Sequence, residues 1–183
     1  MAFEQSFESV LREAKLGKTG AWAEIYREIV GPVAGFLRAR GVTEPEDTAH
    51  DVFFELSRNI DRFDGDEESF RTLVFVIAHR RMIEDRHSAR APRSRLADRV
   101  LDRIKRDAGV NEQLADDEIT EEVRKAFQVL TQEQRDVLTL RVVGGLSVEQ
   151  TAEVIERGVG TVKYLQRRAL AKVGGIFPGQ AAT

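Results

Sequence analysis

Thr161, Lys163, Tyr164, Arg167 and Arg168 gather hydroxyl, ammonium and guanidinium donors close together near the C-terminus. Their spacing places them on the outer side of a helix whose inner side carries Val162, Leu165, Ala169 and Val173. A shorter helical pattern precedes it. Ser147 is a good N-cap, Glu149 and Gln150 follow where a capping-box side chain reaches back, and Val148, Thr151, Ala152 and Ile155 point inward. Gly158 and Gly160 interrupt the two patterns. A short helix, a tight turn and a second helix with a donor-rich outer face is the layout of a helix-turn-helix. The chemistry it offers is hydrogen bonding, because an α-helix fits the major groove and Arg, Lys, Gln and Thr reach base edges or phosphates from it. An ordinary amphipathic hairpin with a solvated basic face has the same spacing, so this segment alone leaves both readings open.

A second group lies nearer the N-terminus. Glu44-Pro45-Glu46-Asp47 reads as the acidic first turn of a helix over about 46–60, which suits the positive end of the helix dipole. Ala49, Val52, Phe53, Leu56 and Ile60 form its inner stripe; Asp47, His50, Asp51, Phe54, Glu55 and Arg58 lie on its other side. Phe54 is the odd member there, either further core or an apolar spot on a partner-binding face. The polar stretch Asp61–Ser69 reads as a loop, and the helix after it, about 69–89, carries His79, Arg80, Arg86 and His87, with Arg90 just beyond.

The elements needed to hold these groups are all helical, and no segment alternates convincingly over strand length. The expected fold class is all-α: two small helical domains joined by a flexible linker. The first domain takes residues 1–90, with helices over about 4–15 and from Ala21, and a further stretch Val33–Arg40 opened by Pro32 and ended by Gly41. Residues 91–118 form the linker, with an amphipathic helix at Arg95–Arg106. The second domain, 119–175, holds four helices at about 120–130, 132–143, 147–156 and 160–173, and 176–183 is a tail. Thr131 caps the second of the four and Gly144-Gly145 closes it.

Composition narrows the function. The chain of 183 residues is 42% hydrophobic and 32% charged, with a net charge of −3, so it is no basic DNA-coating protein. The charge is uneven: residues 80–106 hold ten Lys/Arg against four Asp/Glu, whereas 44–68 are rich in acids. There is no cysteine, which excludes disulfides and thiolate metal sites, and three scattered histidines do not suggest a metal centre. The longest apolar run, Leu73–Ala78, is too short to span a bilayer, and the N-terminus lacks a signal-peptide pattern. No nucleophile–base constellation or phosphate loop is present, so an enzyme acting on a small-molecule substrate is not expected, and neither is a cofactor.

Taken in order, these residues resemble the extracytoplasmic-function sigma factors of the primary-type (sigma-70) bacterial sigma family, in an actinobacterial style. Glu46-Asp47, Asp51-Val52-Phe53, Ser69-Phe70-Arg71-Thr72 and Ile77-Ala78 match the family's region two. Leu130-Thr-Gln-Glu-Gln-Arg135, Leu138–Arg141, Gly145–Glu149 and Gly160–Lys163 match its region four. The chain departs from the family at Leu73, where Trp is common, at Arg80 (often Asn), at Glu84 (often Asp) and at Glu156, which replaces a frequent turn glycine.

The resemblance implies a binding module that gives core RNA polymerase its promoter specificity. Asp47, His50, Asp51, Phe54, Glu55 and Arg58 would dock on the polymerase. Asp61, Phe63, Ser69, Phe70, His79, Arg80, Arg86, His87 and Arg90 would meet the −10 element. Ser147, Thr161, Lys163, Tyr164, Arg167 and Arg168 would meet the −35 element. The implied partners are core RNA polymerase, promoter DNA and an anti-sigma protein wedged between the two domains, and the implied location is the cytoplasm. A helix-turn-helix regulator that binds DNA without polymerase is the alternative.

Overall fold

The structure, a computed structural model, describes residue 3, residues 6–85 and residues 126–174. Every regular element among them is helical: α1 (Phe7–Lys15), α2 (Thr19–Ala39), α3 (Pro45–Asn59), a 3-10 turn (Ile60–Arg62), α4 (Glu67–Asp85), α5 (Gln132–Val142), α6 (Val148–Val154) and α7 (Val159–Gly174). A helical turn at 126–128 precedes α5. The expected linker, its amphipathic helix and the tail lie outside the described residues.

The first unit is built by α2, α3 and α4, with α1 laid against them. Phe53 of α3 meets Trp22 and Tyr26 of α2 edge-on, with ring centroids 5.6 and 5.2 Å apart. Phe70, Val74, Phe75, Ala78 and Met82 of α4 close the core and are fully buried. The break expected at Pro32 is absent, because α2 is one helix with Pro32 inside it. An interior proline costs about 3 kcal/mol. Ile29, Val33, Phe36 and Leu37, all buried, continue one inward stripe past it, and each contributes about 1.5–3 kcal/mol. That gain exceeds the proline penalty.

The second unit packs α5, α6 and α7 around Val137, Leu140, Leu146, Val162 and Leu165. Local chemistry sets its boundaries. Thr131 and Gln134 form a reciprocal capping box at the start of α5, with bonds of 3.3 and 3.1 Å. Gly145 turns the chain out of α5 at φ +65°.

The two units touch directly. α6 lies against α4, α5 lies against α2, and the buried apolar residues of both form one cluster. The guanidinium of Arg40, capping α2, pairs with the Asp136 carboxylate of α5, and both are buried. Gln150 Nε2 donates to the Glu68 carbonyl at 3.1 Å. A β-carbon at Gly144 would lie 3.0 Å from Phe75 Cζ, and one at Gly35 3.2 Å from Val143 Cγ1. A protein wedged between the units would have to displace this contact.

Candidate nucleic-acid interface

α6, the turn after it and α7 form the helix-turn-helix. Ser147 caps α6: its Oγ accepts from Gln150 N at 3.1 Å, while Gln150 Oε1 accepts from Ser147 N at 2.6 Å. Ser147 is half-buried in this box, so its immediate role is to start the helix. The turn differs from the sequence expectation. Neither Gly158 nor Gly160 has positive φ, and Gly160 already lies in the first turn of α7. The left-handed residue is Glu156, at φ +53°. Its N–H meets the Glu153 carbonyl at 3.2 Å, and the next N–H, of Arg157, meets Ala152 at 2.9 Å. These two bonds make a Schellman ending with glutamate where glycine is usual.

The inner side of α7 buries Val162, Leu165 and Ala169. Two polar ties orient it. Lys172 Nζ donates to the Val129 carbonyl at 3.1 Å and to Gln134 Oε1 at 3.0 Å, and Arg157 pairs with Glu133 at 3.1 Å, so both ends of the helix are referred to the start of α5. The outer side then presents Thr161, Lys163, Tyr164, Arg167 and Arg168, all exposed. Lys163 and Arg167, and Tyr164 and Arg168, stand one turn apart and share a face. None of these four has a polar partner among the described residues. Tyr164 is 53% exposed, a large aromatic left in solvent beside cations. A cationic helix face with unspent donors can bind phosphates and read base edges.

The residues expected at the −10 element are spread over different environments. Asp61 is exposed in the 3-10 turn, and Ser69 is exposed at the start of α4, where its N–H donates to Asp66 Oδ1 at 2.8 Å. Hydrogen bonding from Ser69, first from its side chain and then from this N–H, holds the exposed Asp66 carboxyl below the usual range. Phe70 is fully buried, because position 70 opens the inward stripe of α4; it serves the core and is absent from the surface. Phe63 is half-buried, its ring edge-on to Phe70 at 5.5 Å and to Phe7 of α1 at 6.5 Å. Lys15 Nζ, also on α1, donates to the Phe63 carbonyl at 2.6 Å. The short loop at Phe63, between the 3-10 turn and α4, is therefore seated on α1, a support the sequence did not announce.

Arg80 is exposed but engaged: it pairs with Glu55 of α3 and, at 3.8 Å, with Glu84. His79 is half-buried where the two units meet. Burial lowers its pKa, and the charges of Arg40 and Arg157 lower it further, against an opposing pull from Glu156. Arg86, His87 and Arg90 lie outside the described residues.

The polymerase-docking set on α3 divides in two. His50 is buried, with Nε2 2.8 Å from the Tyr26 hydroxyl and its ring stacked on Tyr26; its position on the outer stripe was an expectation from spacing that tertiary packing overrides. Phe54 is half-buried against Phe53, at 6.3 Å. Asp47, Asp51 and Glu55 lie along one partly exposed line, and Arg58 is exposed beyond them. Arg81, which sequence reasoning passed over, is the second partner of Glu55, at 2.7 Å. Among the described residues no group of three or more His, Asp or Glu could hold a metal ion, and no helix is long and apolar enough to cross a membrane.

Comparison with known proteins bears on this geometry. The family model for sigma-70 region 2 matches residues 25–91, and that for sigma-70 region 4 matches residues 120–173. The chain is 27% identical over 175 residues to the extracytoplasmic-function RNA polymerase sigma factor SigD of Mycobacterium tuberculosis, covering 92% of this chain and 82% of that protein. It is 26% identical over 179 residues to the corresponding factor BldN of Streptomyces coelicolor, covering 94% of this chain and 66% of that one. Among solved structures it is similar to CnrH in complex with the cytosolic domain of CnrY, with a TM-score of 0.62 and 22% identity over 94% of this chain and 97% of CnrH.

Proposed function

We propose, from the premise that this chain belongs to the extracytoplasmic-function sigma factors of the sigma-70 family, the following division of labour. The protein is an alternative sigma factor: it joins core RNA polymerase and directs initiation at a class of promoters. Residues 1–90 dock on the polymerase and engage the −10 element, 91–118 connect, and 119–175 hold the −35 element. The polymerase supplies the catalysis, and the factor supplies binding alone, in the cytoplasm where the polymerase works.

The observation that carries the reading is the outer face of α7, where Lys163, Tyr164, Arg167 and Arg168 stand exposed on a rigidly tied helix. The docking line on α3 is then Asp47 and Asp51 with Arg58, a charged surface for a basic partner helix. Arg80 and Ser69, with Phe63 as an apolar edge, form the −10 side. His50 and Phe70 support these surfaces from beneath. CnrH is solved with the cytosolic domain of CnrY bound, which supports a protein partner, an anti-sigma factor, for this chain as well.

The test is run-off transcription with core polymerase on genomic fragments of the source organism. Defined starts sharing an upstream motif, lost with Arg168→Ala, are the expected result. Duplex binding without polymerase and without specific starts would instead establish a conventional regulator.

A further inference from the structure

α1 carries none of the residues expected at a partner, yet it holds part of the −10 side in place. Residues 63–66 form no regular element between the 3-10 turn and α4. The Phe63 ring stands edge-on to Phe7 of α1 at 6.5 Å and to Phe70 of α4 at 5.5 Å. Phe7 and Phe70 are 5.3 Å apart beneath it, and Phe3 lies 5.5 Å from Phe7. On its other side the ring covers Gly65, where a β-carbon would stand 3.0 Å from Phe63 Cζ. The backbone is tied as well. The Phe63 N–H donates to the Ile60 carbonyl at 3.0 Å, and the Phe63 carbonyl accepts from Lys15 Nζ, at the end of α1, at 2.6 Å. A bond from an ammonium to a carbonyl is charge-assisted and stronger than a neutral one.

We propose that Lys15 is a positioning residue for the −10 element: its ammonium, with Phe7 beneath the ring, sets the shape in which the Phe63 loop meets an unpaired strand. The inference rests on the sigma-factor reading and deepens its −10 side. Single strands are bound by stacking bases on aromatic faces and by tracking phosphates. Of the two phenylalanines expected at this element, Phe70 is buried and Phe63 alone reaches the surface, so the apolar contact depends on where Phe63 stands. A loop ordered only on binding loses affinity to the entropy of its residues, whereas a loop already held does not. Lys15 acts through the Phe63 carbonyl and needs no contact with DNA.

Lys15→Met keeps the aliphatic stem and removes the donor, and Lys15→Arg restores a donor. The probe is a fork-junction DNA built from a promoter that run-off returns, duplex upstream and single-stranded from the −10 element on. Polymerase carrying the Lys15→Met chain is expected to bind it about five- to tenfold more weakly. Affinities for core polymerase and for a −35 duplex should be unchanged, and Lys15→Arg should recover most of the loss. The salt dependence of fork binding should keep its slope, because losing a direct phosphate contact would lower it by about one. In the free Lys15→Met chain, amide hydrogen exchange across residues 61–66 is expected to quicken by about five- to tenfold, with α2 and α3 unaffected. Undiminished fork affinity, an equal loss on core and −35 duplex, a lowered salt slope or unchanged exchange at 61–66 each overturns the proposal. Absence of specific starts from the wild-type chain identifies failure of the sigma reading itself. The −10 role of Lys15 then falls with it, while the exchange measurement still decides whether α1 holds the loop.

Discussion

Glu55 of α3 accepts hydrogen bonds from Arg81 of α4 at both Nε, 3.0 Å, and Nη2, 2.7 Å, and pairs with Arg80 beside it. One carboxylate on the expected docking helix thus holds two cations of the helix expected to meet the −10 strand. Arg80 is further balanced by Glu84 one turn on, so the positive charge that departs from the family's pattern at position 80 meets a carboxylate on its own helix.

The network sets an acid limit on stability. Burial pushes the Glu55 carboxyl up, but hydrogen bonds and charge from Arg80 and Arg81 outweigh it and hold its pKa below the ordinary glutamate value. The unfolded chain therefore takes up this proton first as pH falls below about 4.3. The contribution is full above that pH and fades as pH drops through the lower folded value. Because Arg80 and Arg81 are partly exposed, Glu55→Gln is expected to cost about 1 kcal/mol at pH 7. Urea denaturation should show the gap to wild type narrowing below pH 4; a gap independent of pH would mean that the pair contributes packing rather than charge.

The turn between α6 and α7 carries avoidable strain. α1 and α2 end in the same paired 5→2 and 6→1 bonds as α6, with Gly17 and Gly41, both at φ +74°, at the left-handed position where α6 has Glu156. A non-glycine residue there costs about 1–2 kcal/mol, part of which glycine returns through a more flexible unfolded chain. Glu156→Gly is expected to stabilise by about 0.5–1 kcal/mol, or about 2 °C in Tm. Thermal denaturation decides it, and a lower Tm would show that Glu156 gives the fold more through its charge beside His79 than it loses in the turn.

These findings mark what the sequence made legible. Caps and periods are local, so Ser147, Thr131 and the inward stripe of α7 could be read from spacing, and with them the all-helical fold and the helix-turn-helix. Spacing gives an angle around one helix and says nothing of what packs there, which is why His50 was expected on the outer side of α3 and lies buried; Phe70, given to the −10 set by the resemblance with the core as an equal alternative, takes the core. Pro32 was read by its local cost, whereas burial on both sides of it decided the helix. Glu55 with Arg81 and Arg40 with Asp136 join residues distant in sequence through tertiary packing, and neither pairing has a local signature. The glycines nearest the helix-turn-helix drew attention by type, while its left-handed position belongs to Glu156, which the resemblance had marked as standing in for a turn glycine.

On α7, base reading and phosphate binding separate by experiment. If Arg168 reads a guanine through two hydrogen bonds, Arg168→Ala costs about 1–3 kcal/mol on the preferred −35 sequence and much less on one altered at that base pair. Thr161→Ala, at the helix start, is expected to weaken all duplexes by a similar small factor. Titrations of both variants on matched and altered duplexes check this at fixed salt. An equal loss for Arg168→Ala on every sequence would reduce Arg168 to a phosphate contact.

The contact between the units also responds to mild acid. His79 of α4 feels the charges of Arg40, the cap of α2, and of Glu156 and Arg157 in the turn before α7, and Arg40 is itself paired with Asp136 of α5. Burial first, and then the charges of Arg40 and Arg157, hold the imidazole pKa below its ordinary value, with Glu156 opposing. In the folded chain His79 therefore stays neutral at a pH where a solvated histidine is charged, and the unfolded chain binds more protons as pH falls below about 6.5. By linkage, this contribution to stability is full above that value and fades as pH drops through the lower folded pKa. Urea denaturation of wild type is expected to show stability falling between about pH 7 and 5.5, and His79→Gln should flatten that slope. A slope that survives His79→Gln would place the titrating group elsewhere in the contact.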